Sequence, residues 1–127
     1  MNTQVKKEDW KEVLEQISKL RYKWNTKIEV LSSEFGPQVL IDKLPLNGIT
    51  IEKRGRGVTI DLFIGDKKTH QNHSIRDPAR IALMGNGSTH GGIVNIEQQD
   101  GTQTLVHFLE PKGLLLGYKE MAAAAAA

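Results

Sequence analysis

The 127-residue chain contains no cysteine. Disulfides, thiol nucleophiles and thiolate zinc sites are thereby excluded. A dominant charge is missing too: 17 Lys and Arg stand against 15 Asp and Glu, a formal net charge of +2. So small an excess makes no general polyanion-binding surface. Aromatic residues are only 6% of the chain, and none alternates with the turn cations Lys53, Arg54, Arg56, Lys67 and Lys68 to form the stacking platforms that hold single strands. The longest apolar runs span a few residues, as in Leu114-Leu115-Leu116, whereas a membrane-crossing helix needs roughly 20. The polar start, Met1 to Glu8 with Lys6 and Lys7, lacks the apolar core of a signal peptide. These absences predict a cytoplasmic protein without membrane insertion. Asn72-His73-Ser74 and Asn86-Gly87-Ser88 then read as chance matches to the glycosylation sequon.

Apolar residues at 39% and charged residues at 25% are ordinary for a folded domain. The length suits one unit. We expect a single α+β domain over residues 1–111, followed by a tail over 112–127 that ends in the alanine run Ala122 to Ala127.

Trp10, Val13, Leu14, Ile17, Leu20 and Trp24 recur at three- and four-residue steps, one stripe of an amphipathic helix. Lys11, Glu12, Glu15, Gln16, Lys19 and Lys23 fill the other side. Glu8 and Asp9 favour the positive end of the helix dipole. The pattern predicts a helix over about residues 8–23, carrying both tryptophans.

After Asn25 the period drops to two. Strands are predicted at 27–31, 38–42, 46–53, 58–64, 80–84, 92–98 and 102–109. The clearest alternates Val58, Ile60, Leu62 and Ile64 with Thr59 and Asp61. Asp100-Gly101 separates two such runs and predicts a type I′ hairpin, in which both central residues take positive φ. Arg54-Gly55-Arg56-Gly57 joins its flanking strands in a similar way. Loops this short make antiparallel neighbours, because parallel pairs need long crossovers. The expected architecture is one N-terminal amphipathic helix covering the apolar face of a curved antiparallel sheet of about six to seven strands.

The run His73-Ser74-Ile75-Arg76-Asp77-Pro78-Ala79-Arg80-Ile81, the stretch Ile96 to Phe108 and the early Asp9-Trp10 pair resemble a small bacterial family catalogued as domain of unknown function fifty-three thirty-five. The similarity covers about residues 9 to 110, and the His-Ser-Ile-Arg-Asp-Pro stretch is its most specific part. From Lys112 onward the chain departs from the family's pattern. The resemblance implies one α+β domain and assigns no catalytic residue.

Enzyme signatures are absent: no Gly-x-Ser-x-Gly elbow, no phosphate loop, no dinucleotide fingerprint and no spaced carboxylate pair. A non-enzyme is therefore expected, with no catalytic residue and no cofactor. His70, His73, His90 and His107 lack metal-ligand spacing and read as solvated or structurally bonded histidines, so no metal is expected.

Three groups of residues remain as candidate contacts. Arg54, Arg56, Lys67 and Lys68 lie on predicted turns, and turns at one end of the sheet would sum into a basic patch for phosphates. Arg76 and Arg80 flank Asp77-Pro78 and carry forked donors suited to an anion or a partner carboxylate. The alternative is that they pin a corner, with Asp77 held extended by Pro78 and accepting bonds from the amides just beyond it. Leu114, Leu115, Leu116 and Tyr118 form an apolar run that either closes the core or docks on a partner.

The leading expectation is a non-catalytic protein–protein interaction or accessory subunit. A nucleic-acid or ribosome-associated binder is the second, and a small-molecule or cryptic enzymatic site on the concave side of the sheet the third. The edge strands of an open sheet also offer a route to a homodimer.

Overall fold

A computed structural model describes residues 2–85 and 91–111. The tryptophan stripe forms helix α1 over Trp10–Leu20, preceded by a 3-10 turn at Lys7–Asp9. Trp10 and Leu14 are buried, and Val13 and Ile17 pack beside them. The helix is shorter than its periodicity suggests. The Arg21 amide still donates to the Ile17 carbonyl at 2.8 Å, but Lys23 then takes a φ of 66° and turns the chain away. Two residues of the predicted stripe consequently leave it. Leu20 is 67% exposed, and Trp24 opens the next strand.

The strands are β1 (Asn2–Val5), β2 (Trp24–Ser32), β3 (Gly36–Arg54), β4 (Gly57–Gly65), β5 (His70–Arg76), β6 (Pro78–Met84), β7 (Ile93–Gln98) and β8 (Gln103–Pro111). They form one eight-stranded antiparallel sheet in the order β1-β6-β7-β8-β2-β3-β4-β5. Eight strands exceed the six to seven expected. The added ones, β1 and β5, are polar edge strands. The runs predicted at 38–42 and 46–53 are two halves of the 19-residue β3. Between them Lys43 takes a φ of 65°, and a bulge follows at Leu46 and Gly48. The Ser18 hydroxyl of α1 accepts a bond from the Ile49 amide at 3.2 Å, where the helix lies against this bend.

The sheet curls strongly. β5 ends it and β6 lies next to its other end, yet a single residue, Asp77, links the two strands. Only a sheet bent back on itself brings those positions together. The concave face carries one apolar core: Ile28, Ile60, Leu62, Ile75, Ile81, Ile96, Val106 and Phe108 from the strands, with Trp10 and Leu14 from the helix. Each such side chain gains about 1.5–3 kcal/mol on full burial. The indole N–H of Trp10 is satisfied by the Val5 carbonyl at 3.1 Å, which ties the helix start to β1.

The β7–β8 turn differs from the type I′ expectation. Gly101 has a φ of 91°, but Asp100 is not among the residues of positive φ. The Gly101 amide donates to the Gln98 carbonyl at 2.9 Å, and the Gln98 amide to the Thr102 carbonyl at 2.8 Å. This is a type I turn closed by a left-handed glycine. The Asp100 carboxylate favours that form because it accepts the Thr102 amide at 2.9 Å, which also lowers the Asp100 pKa.

Candidate functional site

Alternation along β3 and β4 places Ile49, Ile51 and Lys53 opposite Leu62, Ile60 and Val58 on the inner face. Ile49, Ile60 and Leu62 are buried. Toward the β3–β4 turn the cover thins, and Ile51 and Val58 are only half-buried. There the start of α1 and the strands leave a cleft of about 760 Å³, lined by Lys7, Glu8, Trp10, Lys11, Ile51, Lys53 and Val58. Lys7 and Lys11 are four residues apart and so share a helix-start face. The Lys7 ammonium lies 5.9 Å from the Trp10 ring centre. The cleft therefore pairs an apolar floor with a cationic rim. The sequence carries a signal for it: Ile49, Ile51 and Lys53 form an alternation that ends in a cation instead of an apolar residue.

Beside the cleft lies the β5–β6 junction. The Asp77 amide donates to the Val58 carbonyl at 2.9 Å, and the Gln99 amide donates to the Asp77 carbonyl at 3.0 Å. The Gln98 side-chain amide donates to the Arg76 carbonyl at 3.0 Å. Asp77 adopts a φ of 51°, not the extended form expected of a residue before proline. The three-way junction over-determines it. Among the described residues, local carboxylate-to-amide bonds form at Asp66, which accepts the Lys68 and Thr69 amides at 2.9 and 2.8 Å, and at Asp100, but not at Asp77.

The predicted cations separate. Arg56 is exposed in the β3–β4 turn, and Arg54 ends β3 with its side chain outside the described set. Lys67 and Lys68 are exposed in the β4–β5 turn, at the far end of the nine-residue β4, about 26 Å away at the usual strand rise. They do not sum with Arg56 into one patch, because consecutive hairpin turns lie at opposite ends of their shared strand. Arg76 is exposed and pairs across from Thr59, two residues beyond Gly57, at the Arg56 end. Arg80 is engaged with Glu97 at 3.0 Å. Leu114, Leu115, Leu116 and Tyr118, and also His90, lie outside the described residues.

Among the other histidines, His73 sits on the inner face of β5 opposite Leu62, and burial pushes its pKa below the ordinary value of 6.5. His107 Nε2 lies 3.4 Å from a Glu29 carboxylate oxygen across β8 and β2. Among the described residues no group of three or more His, Asp or Glu side chains is arranged to hold a metal, and no helix is long and apolar enough to cross a membrane.

An apolar cluster that sequence reading missed lies on the β2–β3 hairpin. Phe35 in its turn is 71% exposed, and Val39 and Leu40 just beyond are 51% and 41% exposed. Val39 pairs opposite Glu29, and the register slips between Ile28 and Glu29, so Leu40 is the unpaired bulge residue. The run Gln38 to Asp42 looks like a core strand because the bulge that turns Leu40 outward is invisible in an alternation count.

The chain matches no curated protein and no solved structure. A family model matches residues 1–115. The match includes the His73–Ile81 and Ile96–Phe108 stretches and runs past Lys112, where a departure from the family was expected. By that coverage, the protein belongs to the family of unknown function DUF5335.

Proposed function

We propose that this protein is a non-catalytic interaction module, an accessory or assembly subunit that docks on another protein through its β2–β3 hairpin. The carrying observation is the grouping of Phe35, Val39 and Leu40, all large, apolar and exposed, within six residues of one hairpin. Clusters of this kind mark protein contacts more often than scattered apolar residues do. A near-neutral chain suits a partner surface without strong charge. The test is recovery of bound proteins from the native host by the wild type and by a Phe35→Asp, Val39→Lys variant of equal thermal stability. A protein lost selectively with the variant is expected. Recovery of the same proteins by both forms overturns the assignment.

A nucleic-acid reading draws on Arg56 and Arg76 at one end of the β4–β5 pair. Phosphate contacts release counterions, so such binding falls steeply with salt. Binding that is insensitive to salt rejects it.

A further inference from the structure

We propose that the cleft between the start of α1 and the β3–β4 hairpin binds a small anionic amphiphile: an apolar body of a few methylenes bearing one carboxylate head. Its inner wall is the uncovered end of the core face, Ile51 and Val58 beside the Trp10 indole. Its rim holds Lys7, Lys11 and Lys53 against the single carboxylate of Glu8. All three lysines are exposed, and none makes an ion pair with a carboxylate among the described residues. The cleft therefore offers a surplus of two positive charges directly above apolar surface.

Each component selects one part of the ligand. A purely polar anion would meet the lysines but would leave the apolar wall in water. A neutral hydrocarbon would cover the wall but strand the rim without a counter-charge. Lysine stems can lie along an apolar body while their ammonium groups reach its head. A volume of about 760 Å³ exceeds the few hundred Å³ at which small-molecule pockets begin. This site is independent of the exposed β2–β3 hairpin, so either assignment can fail alone.

Decanoate serves as the probe, titrated into the full chain at low salt and followed by amide NMR shifts. The expected result is saturable movement confined to residues 7–11, 51–53 and 58. A Lys7→Gln, Lys53→Gln variant should bind at least tenfold more weakly while its other resonances stay in place. Decanol and acetate, which each carry half of the chemistry, should bind at least tenfold more weakly than decanoate. The proposal is overturned by any of four results: no saturation at millimolar decanoate, equal binding of decanol, unchanged affinity in the double variant, or tighter binding of a hexaglutamate peptide than of decanoate. The last would assign the rim to an acidic protein segment.

Discussion

The Asp77 amide donates to the Val58 carbonyl at 2.9 Å, joining the start of β4 to the link between β5 and β6. That bond holds Asp77 at a φ of 51°, a region in which an L-residue is disfavoured by roughly 1–2 kcal/mol and a β-branched one by more. Asp77→Val should therefore lower stability by about 1–2 kcal/mol. Asp77→Gly, which relieves the backbone but loosens the unfolded chain, should stay within about 0.5 kcal/mol of wild type. Urea denaturation of the two variants measures both. A Val variant as stable as wild type would show that the junction does not constrain this residue.

Gly65 ends β4 with a φ of 138° and is buried. A Cβ there would run into the Thr69 carbonyl and the His70 backbone, neither of which can swing aside. Gly65→Ala should cost at least about 2 kcal/mol, read as a lowered melting temperature. A loss below half that figure would mean the β4–β5 turn relaxes.

Thr104 is fully buried in the middle of the sheet, and its hydroxyl finds no hydrogen-bond partner among the described residues. By contrast, the equally buried Thr26 donates to the Leu44 carbonyl at 2.9 Å. Thr104→Val keeps the shape and removes the unpaired oxygen, so it should raise stability by up to about 1 kcal/mol, whereas Thr26→Val should lower it by about the same amount. Opposite signs in chemical denaturation are the expected outcome; a loss at both positions would give Thr104 a partner.

Burial disfavours the charged form of His73 and lowers its pKa below 6.5. In acid the unfolded chain binds this proton before the folded chain does, so stability rises with pH in that interval. The His73 contribution should be fully present above pH 6.5 and be lost progressively as pH falls through the lower folded-state value. Melting curves between neutral and mildly acidic pH should show less acid sensitivity for His73→Gln than for wild type. Identical slopes would place His73 in water.

Side chains that face a uniform environment were legible in the sequence. Val58, Ile60, Leu62 and Ile64 alternate because β4 has one face on the core and one outside. Trp10, Leu14 and Ile17 mark α1 for the same reason. The edge strand β5 was not legible, because only Ile75 among His70–Arg76 is buried and apolar. Trp24 sits at helical spacing by coincidence. The Arg21 guanidinium lies 4.7 Å from its ring centre, and the ring packs over Gly91, a contact too distant in sequence for any local pattern to reveal. The cleft escaped because its lysines come from two segments some forty residues apart, Lys7 and Lys11 against Lys53. Hairpin geometry could have shown that Arg56 and Lys68 cannot meet, since their turns close opposite ends of one strand.

β8 is the last described strand, yet it lies between β7 and β2 in the interior of the sheet. During synthesis β2 emerges about eighty residues before the strand that flanks it, as the pairing of Ile28 with Val106 shows. Closing such distant pairs is entropically slow. Until Gln103 to Pro111 have left the ribosome, β2 and β7 each present an unsatisfied edge to the surroundings. The hairpins β2–β5 and β6–β7 pair locally without β8, but the join between those two blocks waits for the last described strand.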